Sequence, residues 1–294
     1  MSREICNLYK NNEAAPEARE IVKSQQWVVG VGRPGSEKSK RKRSMSATYA
    51  FARPQTAVDV LLFTVADFWD RPGKRPRLEI ALIRRDREPF KGKLALPGTV
   101  MRIEPDETGA IDDTDLDAAR RVLKDKLGIK APHLEQLYTW FTRDVDPRGA
   151  TTVIAYFAVV PFDHFRDAPP ERVQFTPVDE LPGLAFNHND IIRRGVERVQ
   201  GKASYSSLPA LLMPRYFTFK ELQLMYEAVL GRPFDQTNFG RRVMELDIIE
   251  AIDPESDAAK ETMARTVMRG HAGRRPQVWR LKHKKLVTFE KTMF

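Results

Sequence analysis

The stretch from Leu94 to Ile129 constrains the fold of this chain more than any other. It runs LALPGTV over residues 94–100, continues through an acidic insert (residues 104–117), and ends in LDAARRVLKDKLGI over residues 116–129. Leu116, Ala119, Leu123 and Leu127 recur at three- and four-residue steps, which puts them on one face of a helix, and Gly128 supplies its stop. Small residues and a Pro-Gly turn therefore feed an amphipathic helix.

This strand-loop-helix resembles a Nudix box, the element on which Nudix hydrolases hold divalent metal with a row of glutamates. Gly98 and Glu104 keep the opening spacing of the box, and Arg121, Leu123, Gly128 and Ile129 fit its end. Val122, Asp125 and Lys126 stand where the box carries three glutamates, and the insert stretches the spacing to Arg121. A magnesium site needs several hard oxygens at once, and a lysine ammonium in that ring repels the metal. The resemblance thus implies a Nudix fold that binds a nucleotide-like ligand, with no catalytic residue and no metal ligand assigned. The alternative is an active magnesium-dependent hydrolase of ADP-ribose or related nucleoside diphosphates, with oxygens from Glu104, Glu107, Asp112, Asp113 and Asp125.

At 294 residues and 41% apolar content the chain has room for two globular domains. No apolar run approaches a membrane span, and the charged N-terminus lacks the apolar core of a secretory signal. A single cysteine, Cys6, excludes a disulfide framework and a cysteine-based zinc site, so a cytoplasmic location is expected. The net charge of +9 points towards a polyanionic partner or simply towards solubility. Residues 1–45 carry 10 basic and 5 acidic side chains, 46–190 carry 20 and 23, and 191–294 carry 19 and 12, so the positive charge sits at the two ends.

The basic run Lys38–Arg43 closes an arm rich in Gly, Pro and Ser, read either as a solvated tail or as a contact to DNA phosphates. A short helix is possible earlier in that arm, over Ala14–Val22. Strands are predicted over residues 57–64 and 78–85, antiparallel neighbours joined by the turn-forming Trp69–Lys74. Asp59 lies inside the first apolar run, as a ligand contact or as a residue on the strand's solvent face; Arg84 and Arg85 end the second, as phosphate contacts or solvated strand ends. Two further strands, over 135–141 and 151–160, flank the loop Thr142–Gly149. That loop is chemically suited to clamp a ligand: Arg143 and Arg148 suit phosphates, and Asp144 and Asp146 suit ribose hydroxyls or hold the arginines. A salt-bridged hairpin loop is the competing reading. His188, at the start of a helix capped by Asn187 or Asn189, suits a helix-start or packing role, since no Ser or Cys nucleophile is placed to use it.

The C-terminal third predicts a helix entered through Thr218 with Glu221 completing a capping box, buried through Leu222, Met225, Tyr226 and Val229 and ended by Gly231-Arg232-Pro233. A basic helix over residues 235–244 follows across a short turn, the order in which helix-turn-helix proteins place a recognition helix. Gly240 inside it costs roughly 1 kcal/mol against alanine; either it is kept for close backbone approach or the helix begins later. Gly273–Leu281 reads as a wing with Arg274 and Arg275 at its tip.

The LEQLYT strand, the RD-x-DPRG loop, the FT-x-x-EL and NF-x-RR patterns and the RP-x-x-W ending together resemble the Nudix-related transcriptional regulators of the NrtR type, over about residues 49–281. The resemblance implies an α/β fold, a Nudix-like α/β/α sandwich with a mixed sheet followed by a winged helix-turn-helix. Its expected divisions are a basic arm (1–45), a ligand sensor (46–186), and a linker helix with the DNA-binding domain (187–294). It implies a homodimeric repressor of NAD-cofactor genes with ADP-ribose or a similar nucleotide as effector, no required cofactor, a double-stranded DNA operator as partner, and no membrane. The ligand-binding candidates are Asp59, Arg84, Gly98, Arg121, Arg143, Asp144, Asp146 and Arg148. The DNA-binding candidates are Asn238, Arg241, Arg242, Arg274 and Arg275, with Lys202, Arg215 and Lys220 on phosphates. A sensor decayed into pure scaffold is the third reading, distinguished by DNA binding without ligand dependence.

Overall fold

The computed structural model describes residues 52–65, 75–105, 107–130, 133–165, 173–267, 276–290 and 292. The basic run Lys38–Arg43, the helix at Ala14–Val22, the turn Trp69–Lys74 and the wing arginines Arg274 and Arg275 lie outside the described residues.

Apolar residues fill both faces of the first strand, β1 (Gln55–Thr64), so it must be covered on both sides. The two-residue period sorts them: Val58, Val60 and Leu62 enter one core, while Leu61 and Phe63 enter another. β1 pairs antiparallel with β2 (Glu79–Arg84) and β4 (Gly98–Val100) and parallel with β6 (Thr151–Val159). β2 also carries β3 (Leu94–Ala95) and β7 (Val173–Pro177), and β5 (Leu134–Thr142) closes the far edge against β6. The result is one mixed seven-stranded sheet.

Helix α1 (Asp115–Leu127) covers the first face with Ala118, Ala119, Val122, Leu123 and Leu127. Thr114 and Asp117 make a reciprocal capping box at its start, and Gly128, at φ 69°, ends it by donating its N–H to the Lys124 carbonyl. The second face belongs to α2 (His188–Tyr205), through Ile191, Ile192, Val199 and Ala203. Asn187 occupies the N-cap position without making a side-chain cap, because the capping bonds expected there are made elsewhere: Asn189 Oδ1 accepts from the Leu184 N–H, and its amide donates to the Pro182 carbonyl.

Beyond α2, a 3-10 turn (Leu208–Leu212) leads to β8 (Phe217–Thr218), α3 (Phe219–Leu230), α4 (Gln236–Glu245), β9 (Ile249–Ala251), α5 (Asp257–Val267) and β10 (Val278–Leu281). The small sheet runs β8-β10-β9, which with α3 and α4 is a winged helix. Thr218 and Glu221 form the expected capping box, and Leu222, Met225, Tyr226 and Val229 are all buried. Helix α5 forms in a segment legible in the sequence only as polar and basic; among its described side chains Ala259, Thr262 and Met263 are buried, and Arg265 Nη2 donates to the Tyr216 carbonyl at 3.1 Å.

One apolar core joins the large sheet to the winged helix. It runs from Leu61 and Phe63 through Ile192 and Val199 on α2 to Leu212, Leu222, Tyr226 and Phe239 without a polar break. With about 1.5–3 kcal/mol for each large side chain fully buried, the large sheet and the winged helix are energetically one body rather than beads on a tether.

Candidate functional site

Asp59 sits mid-strand on the α2 face of β1 and is 7% exposed, which overturns the solvent-face reading of this residue. Its partner is His188, the first residue of α2, with Nε2 3.4 Å from Asp59 Oδ2. The Leu96 N–H donates to His188 Nδ1 at 2.9 Å, so the ring proton sits on Nε2, facing the carboxylate. Gly98 serves the same residue: a Cβ there would stand 1.9 Å from Asp59 Oδ1. The glycine of the Pro-Gly turn therefore makes room for a buried carboxylate.

At the end of the sheet, Asp146 is buried and fully engaged by Arg148. Nε donates to both carboxylate oxygens at 2.9 and 3.2 Å, Nη2 to Oδ2 at 2.6 Å, and the Arg148 backbone N–H to Oδ1 at 3.0 Å. The hydrogen bonds from Arg148 hold the Asp146 carboxyl below its ordinary value despite its burial. Arg85 lies in the field of this pair: burial, then repulsion from Arg148, push its guanidinium below the ordinary arginine value against the pull of Asp146, Asp86 and Asp59. Arg85 donates from Nε to the Pro89 carbonyl at 2.7 Å and from Nη2 to the Arg87 carbonyl at 3.4 Å, and its Cζ sits 4.8 Å over the Phe186 ring. Such a cation-aromatic contact contributes about 0.5–1 kcal/mol. Phe186 adopts φ 53°, a left-handed conformation that costs a residue with a side chain about 1–2 kcal/mol.

The other sequence candidates go elsewhere. Arg84 donates to the Gly92 carbonyl at 2.7 Å and shapes the loop after β2; the neighbour Arg85, not Arg84, faces the Asp146–Arg148 pair. No periodicity separates the two, because the strand stops between them. Arg143 and Asp144 are exposed on the same loop as Asp146. Arg121 is spent on structure: Nε and Nη2 grip Asp112 at 2.9 and 2.5 Å, Nη1 donates to Thr99 Oγ1 and Nη2 to the Val100 carbonyl. With Arg102 and Asp112 exchanging further bonds, Arg121 pins the acidic insert to β4.

The donor set does not fit a magnesium ion. Val122 faces the core, Asp112 is held by Arg121, and among the described residues no three carboxylate, imidazole or thiol groups gather within coordinating reach.

On α4, Phe239 and Val243 face the core, leaving Thr237, Asn238, Arg241 and Met244 exposed on the outward face, with Gln236 exposed in the first turn. Asp235 caps the helix by accepting the Asn238 N–H at 2.8 Å, so the helix begins before Gly240. A Cβ at Gly240 would stand 3.7 Å from the Phe219 ring, an ordinary contact, so packing inside the molecule does not require a glycine there. Arg241 and Arg242 lie 3.5 and 3.7 Å from Glu245, and Arg242 is half-buried. Arg215 and Lys220 are exposed, but Lys202 is not available to phosphates: with Arg198 it grips Glu135 and ties α2 to β5. The outward position of Thr237 was legible from helical spacing once Phe239 and Val243 are taken as buried, whereas Gln236, on their side of the helix, is exposed in its first turn.

A Nudix-like sandwich with no set of metal ligands among the described residues, fused through one helix to a winged helix with a polar and basic outer face, defines a class: DNA-binding regulators built on a hydrolase-like fold. Residues 209–266 match the NrtR DNA-binding winged helix domain. The ADPR responsive transcriptional repressor NtrR of Acinetobacter baylyi is 31% identical over 214 residues, 71% of this chain and 80% of that protein. The crystal structure of Shewanella oneidensis NrtR superposes with a TM-score of 0.63 at 26% identity, covering 81% of this chain and 99% of that one. The same protein complexed with a 27mer DNA gives 0.62 at 26% identity, covering 81% and 98%. The chain belongs to the NrtR family of transcriptional regulators.

Proposed function

We propose that this chain is a transcriptional repressor that binds a double-stranded operator through α4 and the wing, and whose hold on DNA is set by ADP-ribose or a closely related nucleotide sugar. The observation that carries the reading is the apolar core that α2 shares with the winged helix, under a sheet that ends in the guanidiniums of Arg85, after β2, and Arg148, in the β5–β6 loop. Guanidinium groups match phosphate geometry, and a ligand placed there lies one packed helix away from the reader. The name of the Acinetobacter relative supports ADP-ribose as the effector, and the DNA complex of the Shewanella relative supports duplex DNA as the partner.

In this reading residues 46–186 sense and residues 187–294 read. The protein acts as a homodimer, since a twofold operator needs two recognition helices. NAD-cofactor genes are the proposed targets, and ADP-ribose acts as an effector that is held and not hydrolysed. For control, the ligand must bind one arrangement of the two readers more tightly than the other. The test uses a duplex selected by the protein from a random-sequence library, labelled and titrated by fluorescence anisotropy with and without ADP-ribose. Unchanged affinity at saturating ligand ends the sensor reading, and steady AMP release from ADP-ribose in magnesium replaces it with the hydrolase.

A further inference from the structure

Positive charge is left over in the turn Lys282–Lys285, which follows β10. From Ser206 onwards, every other described lysine and arginine has an ion pair, a hydrogen bond or a ring contact within the molecule. Lys284 and Lys285 are adjacent, exposed and without a side-chain partner among the described residues.

The turn is pinned to the C-terminal end of α4. The Lys282 N–H donates to the Ile248 carbonyl at 3.0 Å and its ammonium to Asp247 Oδ1 at 2.5 Å. Asp247 directly follows Leu246, the C-cap of α4, and reverses the chain with φ 51°. The far side of the turn is fixed as well. Ser207 donates its N–H to the Val287 carbonyl and accepts the Val287 N–H on Oγ, both at 2.9 Å, and Phe289 is buried two residues further on. Two free ammoniums are thus displayed on a short span between anchors, and little backbone ordering is left for a partner to impose.

This end of α4 is acidic in sequence but charge-matched in structure. Glu245 faces Arg241 and Arg242, Asp247 faces Lys282 and Glu250 faces Arg280. The carboxylates that would repel a polyanion are matched, so Lys284 and Lys285 are the surplus. Helix α4 has 10 residues, and at 1.5 Å per residue it is about 15 Å long. A major groove is about 12 Å wide. Laid across the groove with its outward face on base edges, a helix of that length brings its ends to the sugar-phosphate strands. A lysine ammonium suits a contact there, being a flexible point charge that reads phosphate and not sequence.

We propose that Lys284 and Lys285 bind backbone phosphates of the duplex beside the stretch read by α4. A turn outside residues 209–266, the span matched to the winged helix domain, then supplies affinity without sequence preference. The inference rests on the duplex-binding reading above and adds a contact surface to it.

The experiment titrates the full chain against the selected duplex and a scrambled one by anisotropy at several salt concentrations. The double variant Lys284→Gln/Lys285→Gln is expected to lower the slope of log affinity against log salt by about one to two, and to bind both duplexes roughly five- to thirtyfold more weakly at about 0.15 M salt. Lys124→Gln/Lys126→Gln removes the same charge from the exposed last turn of α1 and is expected to keep the wild-type slope. A set of selected duplexes, each with one uncharged methylphosphonate, locates the contact: the wild type is expected to lose affinity at one or two positions where the double variant does not. A wild-type slope in the double variant, a loss no larger than that of the α1 control, or identical methylphosphonate profiles overturns the proposal and leaves the duplex reading standing. If the wild type binds no duplex even at low salt, the duplex reading fails and the proposal with it.

Discussion

His188 holds Asp59 from the helix that covers its face of the sheet: the first residue of α2 places Nε2 3.4 Å from a carboxylate in the middle of β1. Both side chains are buried, and the same imidazole accepts the Leu96 N–H. Replacing His188 by alanine strands a buried N–H and a buried carboxylate at once, so a loss of about 3 kcal/mol in unfolding free energy is expected. Urea denaturation measures it. A loss below about 1 kcal/mol, within the net value of one ordinary hydrogen bond, removes this pair from the account of how α2 is seated.

Gly195 sets how closely α2 lies on the sheet. A Cβ there would stand 2.3 Å from Leu61 Cδ2 and 3.2 Å from Phe63 Cζ, and both neighbours are themselves fully buried. Gly195→Ala gains helix propensity of roughly 1 kcal/mol, but overpacking costs about 1–3 kcal/mol, and the contact is close enough for the second effect to win. The expected result is a lowered thermal midpoint. Gly201 is the control: it lies on the same helix with nothing within 4 Å of its Cβ position, so Gly201→Ala is expected to stabilise.

These two residues also mark what the sequence told and what it withheld. The period of α1 and the capping box and buried stripe of α3 are local patterns, and the structure follows them. Asp59 and His188 are 129 positions apart, and nothing in either neighbourhood announces the other. Arg121 matched a position in the Nudix box, yet its partner Asp112 lies in the acidic insert, where spacing carried no signal. Arg85 was indistinguishable from Arg84 until the loop after β2 had turned one towards Gly92 and the other towards Phe186. Helix α5 was not assigned because its apolar stripe is short: among its described side chains the buried ones are Ala259, Thr262 and Met263, one of them polar.

Acid should loosen the molecule in a way that two aspartates account for. Hydrogen bonds from Arg121 and from Arg148 hold the Asp112 and Asp146 carboxyls below their ordinary values in the folded state. Their stabilisation is complete above the ordinary aspartate range and is lost as pH falls below it, through the depressed folded-state values. Asp112→Asn is expected to lower the urea midpoint at neutral pH and to flatten its decline in acid, since the variant has no proton to take up. A full acid decline in Asp112→Asn would assign the effect to other carboxylates.

The outward stripe of α4 makes a prediction that separates base reading from phosphate contact. Asn238 and Arg241 are exposed on the face opposite Phe239 and Val243, and their side chains offer the paired donors and acceptors that base edges present in the major groove. Arg215, exposed beside Tyr216 ahead of α3, has no such place on the helix and suits a phosphate. Arg241→Ala is therefore expected to weaken the selected duplex by about 1–3 kcal/mol and to relax preference at one base position, with far less effect on a scrambled duplex. Arg215→Ala is expected to weaken both duplexes alike and to reduce the slope of log affinity against log salt by about one. Anisotropy titrations at several salt concentrations read both quantities. Equal losses on selected and scrambled duplex for Arg241→Ala would mean that this residue touches only the backbone and that sequence is read elsewhere, with Thr237 and Asn238 the next positions along the same stripe.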